Sequence, residues 1–244
     1  MHRFFLSPDL CKGETIALDR SESHHAANVL RVNPGQTVEV LNGLGLRLIC
    51  EISTVEKRAV SLRVSERIES PPPAFEAHLF QSVIKGKGMD FLVQKVTEIG
   101  ITHIHPILTH HCVARPDKHD EDRIEKWRQT TIEAAKQCGR SFLPQISPIQ
   151  NFQEAISLAD KETPHLYGAL KSETKKISEA IGCHTTLSNR AAIWIGPEGD
   201  FSEEEYEAFS NAKYLPVTLG PHVLRAETAA ITGTALLVDA LTSA

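Results

Sequence analysis

The chain has 244 residues, 41% of them hydrophobic and 23% charged, which excludes the charge-rich, apolar-poor composition of a disordered chain and allows two domains or one large one. A formal charge of -5 and a pI of about 6.2 exclude a protein that coats nucleic acid through a uniform positive field, so contact with a polyanion must use local patches. No apolar run approaches the roughly 20 residues that cross a bilayer, and Arg3 and Asp9 interrupt the opening residues where a secretory signal needs an apolar stretch, so a cytoplasmic protein with no membrane partner is expected.

The first seventy residues read as strands. Val38 and Val40 alternate with Thr37 and Glu39, Leu46, Leu48, Cys50 and Ile52 point opposite to Arg47, Glu51 and Ser53, and Val60, Leu62 and Val64 repeat the pattern. Asn42-Gly43 followed by Leu44-Gly45 supplies the positive-φ residues of a hairpin turn, so a small antiparallel barrel or sheet is expected. One helix interrupts it, predicted to start after Ser21 or Ser23 as N-cap and to run through His24 to about Arg31, where Asn33-Pro34-Gly35 stops it. Pro71, Pro72 and Pro73 cannot donate ladder hydrogen bonds and mark a stiff connector at which the domain boundary is placed.

Beyond the connector the period changes. Strand-like runs at 77–84, 101–108, 165–170, 191–195 and 215–219 are separated by helical patterns at 89–99, 122–138, 152–159, 174–181, 203–212 and 226–241. Such alternation predicts an α/β domain with a mainly parallel sheet covered on both faces.

In open α/β sheets, ligands bind beyond the carboxyl ends of the strands, which directs attention to two segments. In the first, strand residues Ile193-Trp194-Ile195 run into Gly196-Pro197-Glu198-Gly199-Asp200-Phe201, then Ser202 as an N-cap with Glu205 three residues on. Backbone without a Cβ in the way suits the adenine and ribose of a nucleotide-like ligand, although glycine can equally serve only the turn. In the second, Leu219-Gly220-Pro221-His222-Val223-Leu224 leads into a helix whose first turn is expected to hold Arg225 and Glu227. An arginine at the positive end of a helix makes sense if it faces an anion or a carbonyl; the plainer reading is a solvated or Glu-paired side chain.

Cys11, Cys50, Cys112, Cys138 and Cys183 are scattered and odd in number, and read as reduced and mostly buried rather than as disulfides or a zinc site. His103, His105, His110, His111 and Cys112 form a cluster without a familiar ligand spacing, so no metal is expected. Lys85-Gly86-Lys87-Gly88 lacks the P-loop spacing and reads as a flexible basic turn.

The two strand-end segments together resemble the ribosomal RNA small-subunit methyltransferase E family, within the SPOUT superfamily of knotted methyltransferases. The resemblance rests on Gly196-Pro197-Glu198-Gly199 and on Leu219 to Ala229, together with His25, Val29-Leu30-Arg31-Val32, Gly35, Gln94-Lys95, Glu98-Ile99-Gly100, Pro106, Ala134-Ala135, Gln137-Cys138-Gly139-Arg140 and Pro144. It spans nearly the whole chain; residues 150 to 185 contribute least. The chain departs from the family pattern at Asp200, where glycine commonly follows, at His222, where arginine is common, and at Lys136, where an acidic residue often stands.

The resemblance implies a PUA-like RNA-binding β-barrel domain at residues 1–70, a SPOUT methyltransferase domain with a deep trefoil knot at 74–244, and a homodimer. It implies methyl transfer from S-adenosylmethionine, leaving S-adenosylhomocysteine, to N3 of one uridine of small-subunit ribosomal RNA, with an assembled ribosomal particle as partner. The cofactor positions carried over are Tyr167, Gly168, Ile195, Gly196, Pro197, Gly199, Leu219, Gly220, Val223 and Leu224. Arg225 is the expected catalytic side chain, with Glu227 or Glu198 accepting the proton or orienting it. RNA contacts are expected from Arg3, His25, Arg31, Lys85, Lys87, Arg140 and His222. A related enzyme acting elsewhere on RNA, such as at a ribose 2′-hydroxyl, and a noncatalytic RNA-binding protein of the same fold are the alternatives.

Overall fold

The computed structural model describes residues 1–56, 59–113, 120–170, 173–182 and 189–243. The chain divides into two units, Met1–Pro73 with Ile132–Leu143, and Ala74–Thr131 with Pro144–Ala244.

In the first unit, β1 (His2–Phe5), β2 (Thr15–Ala17), β3 (Thr37–Leu41), β4 (Leu46–Val55) and β5 (Val60–Glu69) form one sheet in the order β1-β3-β4-β5-β2. The β1–β3 pair is parallel and the others are antiparallel, so the sheet is mixed where an all-antiparallel one was expected. The alternating apolar residues do face the core: Val38, Val40, Leu48, Cys50, Val60 and Leu62 are fully buried. Glu39, predicted to point outward, is also buried, and its carboxylate accepts from Arg3 Nε and Arg47 Nε, both at 2.7 Å. Burial opposes its ionisation, but the two guanidiniums outweigh that cost and hold its pKa below the ordinary glutamate value. The turn between β3 and β4 is made as its residues dictate: Gly43 and Gly45 have φ of 76° and 97°, and Asn42 Oδ1 accepts from the amides of Leu44 and Leu46.

The helix starts earlier than predicted. Asp19, not Ser21 or Ser23, is the N-cap of α1 (Arg20–His24), accepting from the Glu22 amide at 2.8 Å, and the chain continues as a π-helical turn, His25–Leu30, up to Arg31 at φ 53°. Ser23 is fully buried and bridges instead, donating to the Leu18 carbonyl and accepting from the Val60 amide. A carboxylate two residues upstream had already satisfied the orphan amides.

Residues 132–143, expected within the second domain, pack with the first unit instead. They are the end of α3 (Asp120–Cys138) and the turn after it. Lys136 Nζ meets Glu22 Oε1 at 2.8 Å with both side chains almost entirely covered, Arg3 donates to the carbonyls of Lys136 and Gln137, and the Gly45 amide donates to the Ser141 carbonyl. These partners draw the segment out of the linear order of the chain.

The second unit has a sheet in the order β12-β10-β11-β6-β7-β8, built from β6 (Glu76–Ser82), β7 (His103–Leu108), β8 (Gln145–Ile146), β10 (His165–Gly168), β11 (Arg190–Ile195) and β12 (Leu215–Val217); β9 (Gln150–Asn151) also pairs with β7. Every pairing is parallel. β8 and β9 went unpredicted because two residues display no period. The helices are α2 (Gly88–Ile99), the first turns of α3, α4 (Phe152–Leu158), α5 (Ile177–Gly182), α6 (Glu203–Asn211) and α7 (Ala226–Thr242). Two cores flank the sheet, an aliphatic one that includes Leu79, Leu92, Ile193 and Leu237, and an aromatic one around Trp194, Phe209, Phe152 and Tyr167. In α7, Gly233 lets the helix lie close on the sheet: a Cβ there would sit 2.7 Å from Ile193 Cδ1.

Along the N-terminal half of the strands run stacked imidazoles. His78 stacks on His103 with centroids 4.2 Å apart, His105 stacks on Phe80 at 4.3 Å, and Phe80 stacks on Trp194 at 3.9 Å. His105 hydrogen-bonds His78 at 3.0 Å and Ser147 at 2.7 Å. The histidines are thus a structural ladder, and among the described residues no three His, Cys, Asp or Glu side chains converge as ligands for one ion. Cys11, Cys50 and Cys112 are buried and Cys138 is exposed, while Cys183 lies outside the described residues.

Candidate functional site

Four adjacent strands, β12, β10, β11 and β6, end on one edge of the second sheet, and the segments leaving them enclose a cleft of about 640 Å³. That volume lies within the range typical of small-molecule sites, roughly 300–1,000 Å³. Its walls are Ile84, Lys85 and Gly88 after β6, Gly168 to Leu170 after β10, Ile195 to Glu198 with Asp200 after β11, and Thr218 to Gly220 with His222 to Glu227 and Ala229 after β12.

Much of this wall is bare backbone. A Cβ on Gly168 would lie 3.4 Å from the side chains of Ile195 and Leu219, and one on Gly196 would lie 3.4 Å from the Phe201 ring, ordinary packing distances, so glycine here leaves backbone open to the cleft rather than being forced by a clash. Gly220 has a φ of 149°, which frees the turn before His222. The bend after β11 is anchored at its far end by a capping box: Ser202 Oγ accepts from the Glu205 amide, and Glu205 accepts from the Ser202 amide at 2.9 Å. Glu205 also accepts from the His110 amide at 2.8 Å, tying the start of α6 to the loop after β7.

Of the ten predicted cofactor positions, Gly168, Ile195, Gly196, Pro197, Leu219, Gly220, Val223 and Leu224 line the cleft. Tyr167 and Gly199 do not. Tyr167 is buried and stacks on Phe209 at 4.6 Å, because neighbouring strand residues face opposite sides of a sheet and the cleft lies on the side of Gly168. Gly199 packs against His111 while Glu198 and Asp200 turn inward. The cleft residues that went unpredicted include Ile84, Gly88, Ala169, Leu170 and Thr218; the first of these sits just past the carboxyl end of β6 and was open to the same strand-end rule.

The three predicted catalytic side chains, Arg225, Glu227 and Glu198, all line the cleft. Arg225 is the N-cap of α7 rather than part of its first turn, with φ -63° and ψ 153°, and its side chain caps nothing. Its guanidinium is exposed and has no ion pair among the described residues, so no glutamate neutralises it and it is open to solvent or to an incoming group. Glu198 Oε1 stands 3.5 Å from the Lys85 amide, a long contact linking the bend to the basic turn.

The predicted RNA contacts separate by unit. Lys85 and His222 are exposed on the cleft wall and Lys87 is exposed beside them in sequence. In the first unit, Arg31 is exposed, His25 is half-buried, and Arg3 is already engaged by Glu39 and two carbonyls. Arg140 is also half-buried, and burial pushes its guanidinium down to about 10. Arg3 is thus hydrogen-bonded within the first unit, and Arg140 is less open to solvent than Arg31.

Models of the RNA methyltransferase domain and of the RNA methyltransferase PUA domain match residues 71–238 and 18–65. A PUA domain followed by this α/β domain, with a glycine-lined cleft at its strand ends, defines an RNA methyltransferase. The chain is similar to Ribosomal RNA small subunit methyltransferase E of Bacillus subtilis, 27% identical over 237 residues that cover 94% of this chain and 93% of that one. Among solved structures, it is similar to Ribosomal RNA small subunit methyltransferase E from Neisseria gonorrhoeae bound to S-adenosyl methionine, with 30% identity, a TM-score of 0.86 and 96% of each chain covered. A methyltransferase from Legionella pneumophila in complex with bound SAM is similar as well, with 29% identity, a TM-score of 0.87, and 98% and 97% of the two chains covered. The chain belongs to the ribosomal RNA small subunit methyltransferase E family.

Proposed function

We propose that this chain is an S-adenosylmethionine-dependent methyltransferase of small-subunit ribosomal RNA, and that its acceptor is N3 of one uridine. The observation that carries the reading is the cleft itself: bends from adjacent strand ends present glycine backbone and apolar side chains, the surface a nucleoside-like cofactor requires. The donor set fits such a group, with backbone at Gly168, Gly196 and Gly220 for the adenosyl part and the side chains of Ile195, Leu219 and Leu224 to exclude water.

When bound, S-adenosylmethionine supplies an electrophilic methyl carbon and leaves as S-adenosylhomocysteine. The protein's own part begins with the acceptor, whose N3 is hidden in paired RNA and must be presented by an unpaired or extruded nucleotide. Arg225, poised at the start of α7, hydrogen-bonds the uracil carbonyl and stabilises negative charge as the N3 proton departs. Glu227 or Glu198 receives that proton or orients the guanidinium, both residues lining the cleft. Lys85, Lys87 and His222 meet flanking phosphates near the cleft, and Arg31 and His25 serve the RNA from the PUA domain.

The same reading expects the family's trefoil knot in the α/β domain, a cytoplasmic homodimer as the working form, and the assembled small subunit as the substrate. No helix among the described residues is long and apolar enough to cross a membrane. Nucleoside analysis of ribosomal RNA from a deletion strain tests the proposal: loss of 3-methyluridine, restored by the gene, supports it, and loss of a ribose-methylated nucleotide instead assigns a different acceptor.

A further inference from the structure

The cleft wall carries a side chain where the backbone favours none. Asp200 has a φ of 64°, in the left-handed region that disfavours a Cβ, yet it is not glycine. Its own carbonyl accepts from His111 Nδ1 at 3.0 Å, and its carboxylate accepts from Tyr206 Oη at 2.9 and 2.8 Å. Tyr206 is set firmly, since it belongs to the second turn of α6 behind the Ser202–Glu205 capping box. The Tyr206 ring lies edge-on to that of Tyr167 in β10, one residue before the bend that starts at Gly168, with centroids 5.9 Å apart. Burial, and then the Asp200 carboxylate, push the Tyr206 pKa up, so the phenol stays a donor at neutral pH. One side chain thus holds the bend after β11 through its hydroxyl and meets the strand that leads into the bend after β10 through its ring.

We infer that Asp200 and Tyr206 are positioning residues for the cofactor: the hydrogen bonds between them, with the Tyr206–Tyr167 ring contact, strap the bend at 196–200 to the end of β10 and fix the width of the cleft between them. Neither group needs to touch the ligand. The strap substitutes a side-chain tie for the freedom that glycine would give this position, making the cleft stiffer and its ordering on binding less costly. The inference rests on the methyl-donor reading of the cleft.

Calorimetry of the full chain with S-adenosylmethionine, paired with thermal melts and saturation kinetics, separates the possibilities. Tyr206→Phe raises Kd and the cofactor KM about tenfold while kcat at saturation stays within about twofold, the size expected for losing the ordering done by one charge-assisted hydrogen bond. Asp200→Gly does the same with no fall in Tm, because glycine is at ease at this φ. The double variant is no weaker than either single one, because both changes remove the same tie. Asp200→Asn, which tolerates the left-handed region and still offers an acceptor, recovers affinity to within about threefold. A wild-type protein that binds S-adenosylmethionine alongside variants that bind equally well overturns the strap alone. A wild-type protein that binds none overturns the methyl-donor reading, and the strap with it.

Discussion

Arg225 caps no amide of α7 and has no carboxylate partner among the described residues, yet it stands on the wall of a cleft. A cation at the positive end of a helix is slightly unfavourable there, a cost an incoming anion would offset, and the developing charge on uracil is the anion proposed here. Arg225→Ala is expected to slow single-turnover methylation about 100-fold while leaving S-adenosylmethionine affinity within about twofold, as measured by rapid quench and calorimetry. Near-normal turnover would remove the residue from the mechanism. The histidine ladder illustrates the opposite arrangement, side chains kept neutral by their surroundings. Burial first, and the neighbouring imidazoles next, lower His105 to about 3 and His78 to about 4 from an ordinary 6.5; His103 and His165 are lowered too, against Glu76 and Asp160, which favour charge. A folded-state pKa below the unfolded value gives stability that is complete above pH 6.5 and drains away as the pH falls toward 4 and then 3. Thermal melts from pH 7 to pH 4 should record that decline. His105→Phe, which keeps the stack on Phe80 but loses two hydrogen bonds, should melt lower at pH 7, by about 1–3 kcal/mol of stability, and show a shallower pH slope; a slope parallel to the wild type would absolve the ladder.

At the scale of elements, the strongest local constraint is the turn between β3 and β4. A Cβ on Gly45 would fall 2.4 Å from Phe142 Cζ and 3.1 Å from the Ser70 carbonyl oxygen, at a φ that already opposes it. Gly45→Ala is expected to destabilise the protein by about 2 kcal/mol in denaturant melts, through strain and overpacking together. Such features are legible in the sequence when the signal is local: Asn42-Gly43 declared the turn, Ser202 with Glu205 declared the capping box, and glycine-proline pairs after apolar runs declared the strand ends that form the cleft. Legibility fails where the deciding partner is remote. Glu39 looked solvent-facing because the two guanidiniums that neutralise it come from β1 and β4. Ser23 looked like a cap because the burial that makes it a bridge depends on β5. Tyr167 was assigned to the cleft along with Gly168, since family likeness locates a loop but only the strand's exact phase tells which neighbour lines the cleft.

For the whole molecule, the departure at Lys136 is the informative one. Where the family often has an acid, this chain has a lysine held by Glu22 and Glu133, with 10% and 9% of the Lys136 and Glu22 side chains exposed. Pairing with the two carboxylates raises the Lys136 pKa in spite of its burial, while burial raises that of Glu22 in spite of the lysine; the 2.8 Å contact indicates an ion pair whose two charges need each other. Lys136→Glu should therefore cost about 3 kcal/mol or more in denaturant melts, and the exchange Lys136→Glu with Glu22→Lys should recover a good part of it. If the single change is silent, the pair is not structural. The same scale holds the test of assembly: light scattering should give twice the 26.9 kDa chain mass for the proposed homodimer.

The lysine also has a consequence for how the protein comes into being. Its unit is assembled from residues 1–73 and 132–143, with a long stretch of the other unit lying between them. During translation the N-terminal sheet emerges early but waits with Glu22 lacking its counter-charge until nearly sixty further residues (74–131) have been made. Synthesis therefore couples completion of the RNA-binding half to progress on the catalytic half, and a nascent chain stalled before residue 132 should be far more open to protease in its first seventy residues than one released past residue 143.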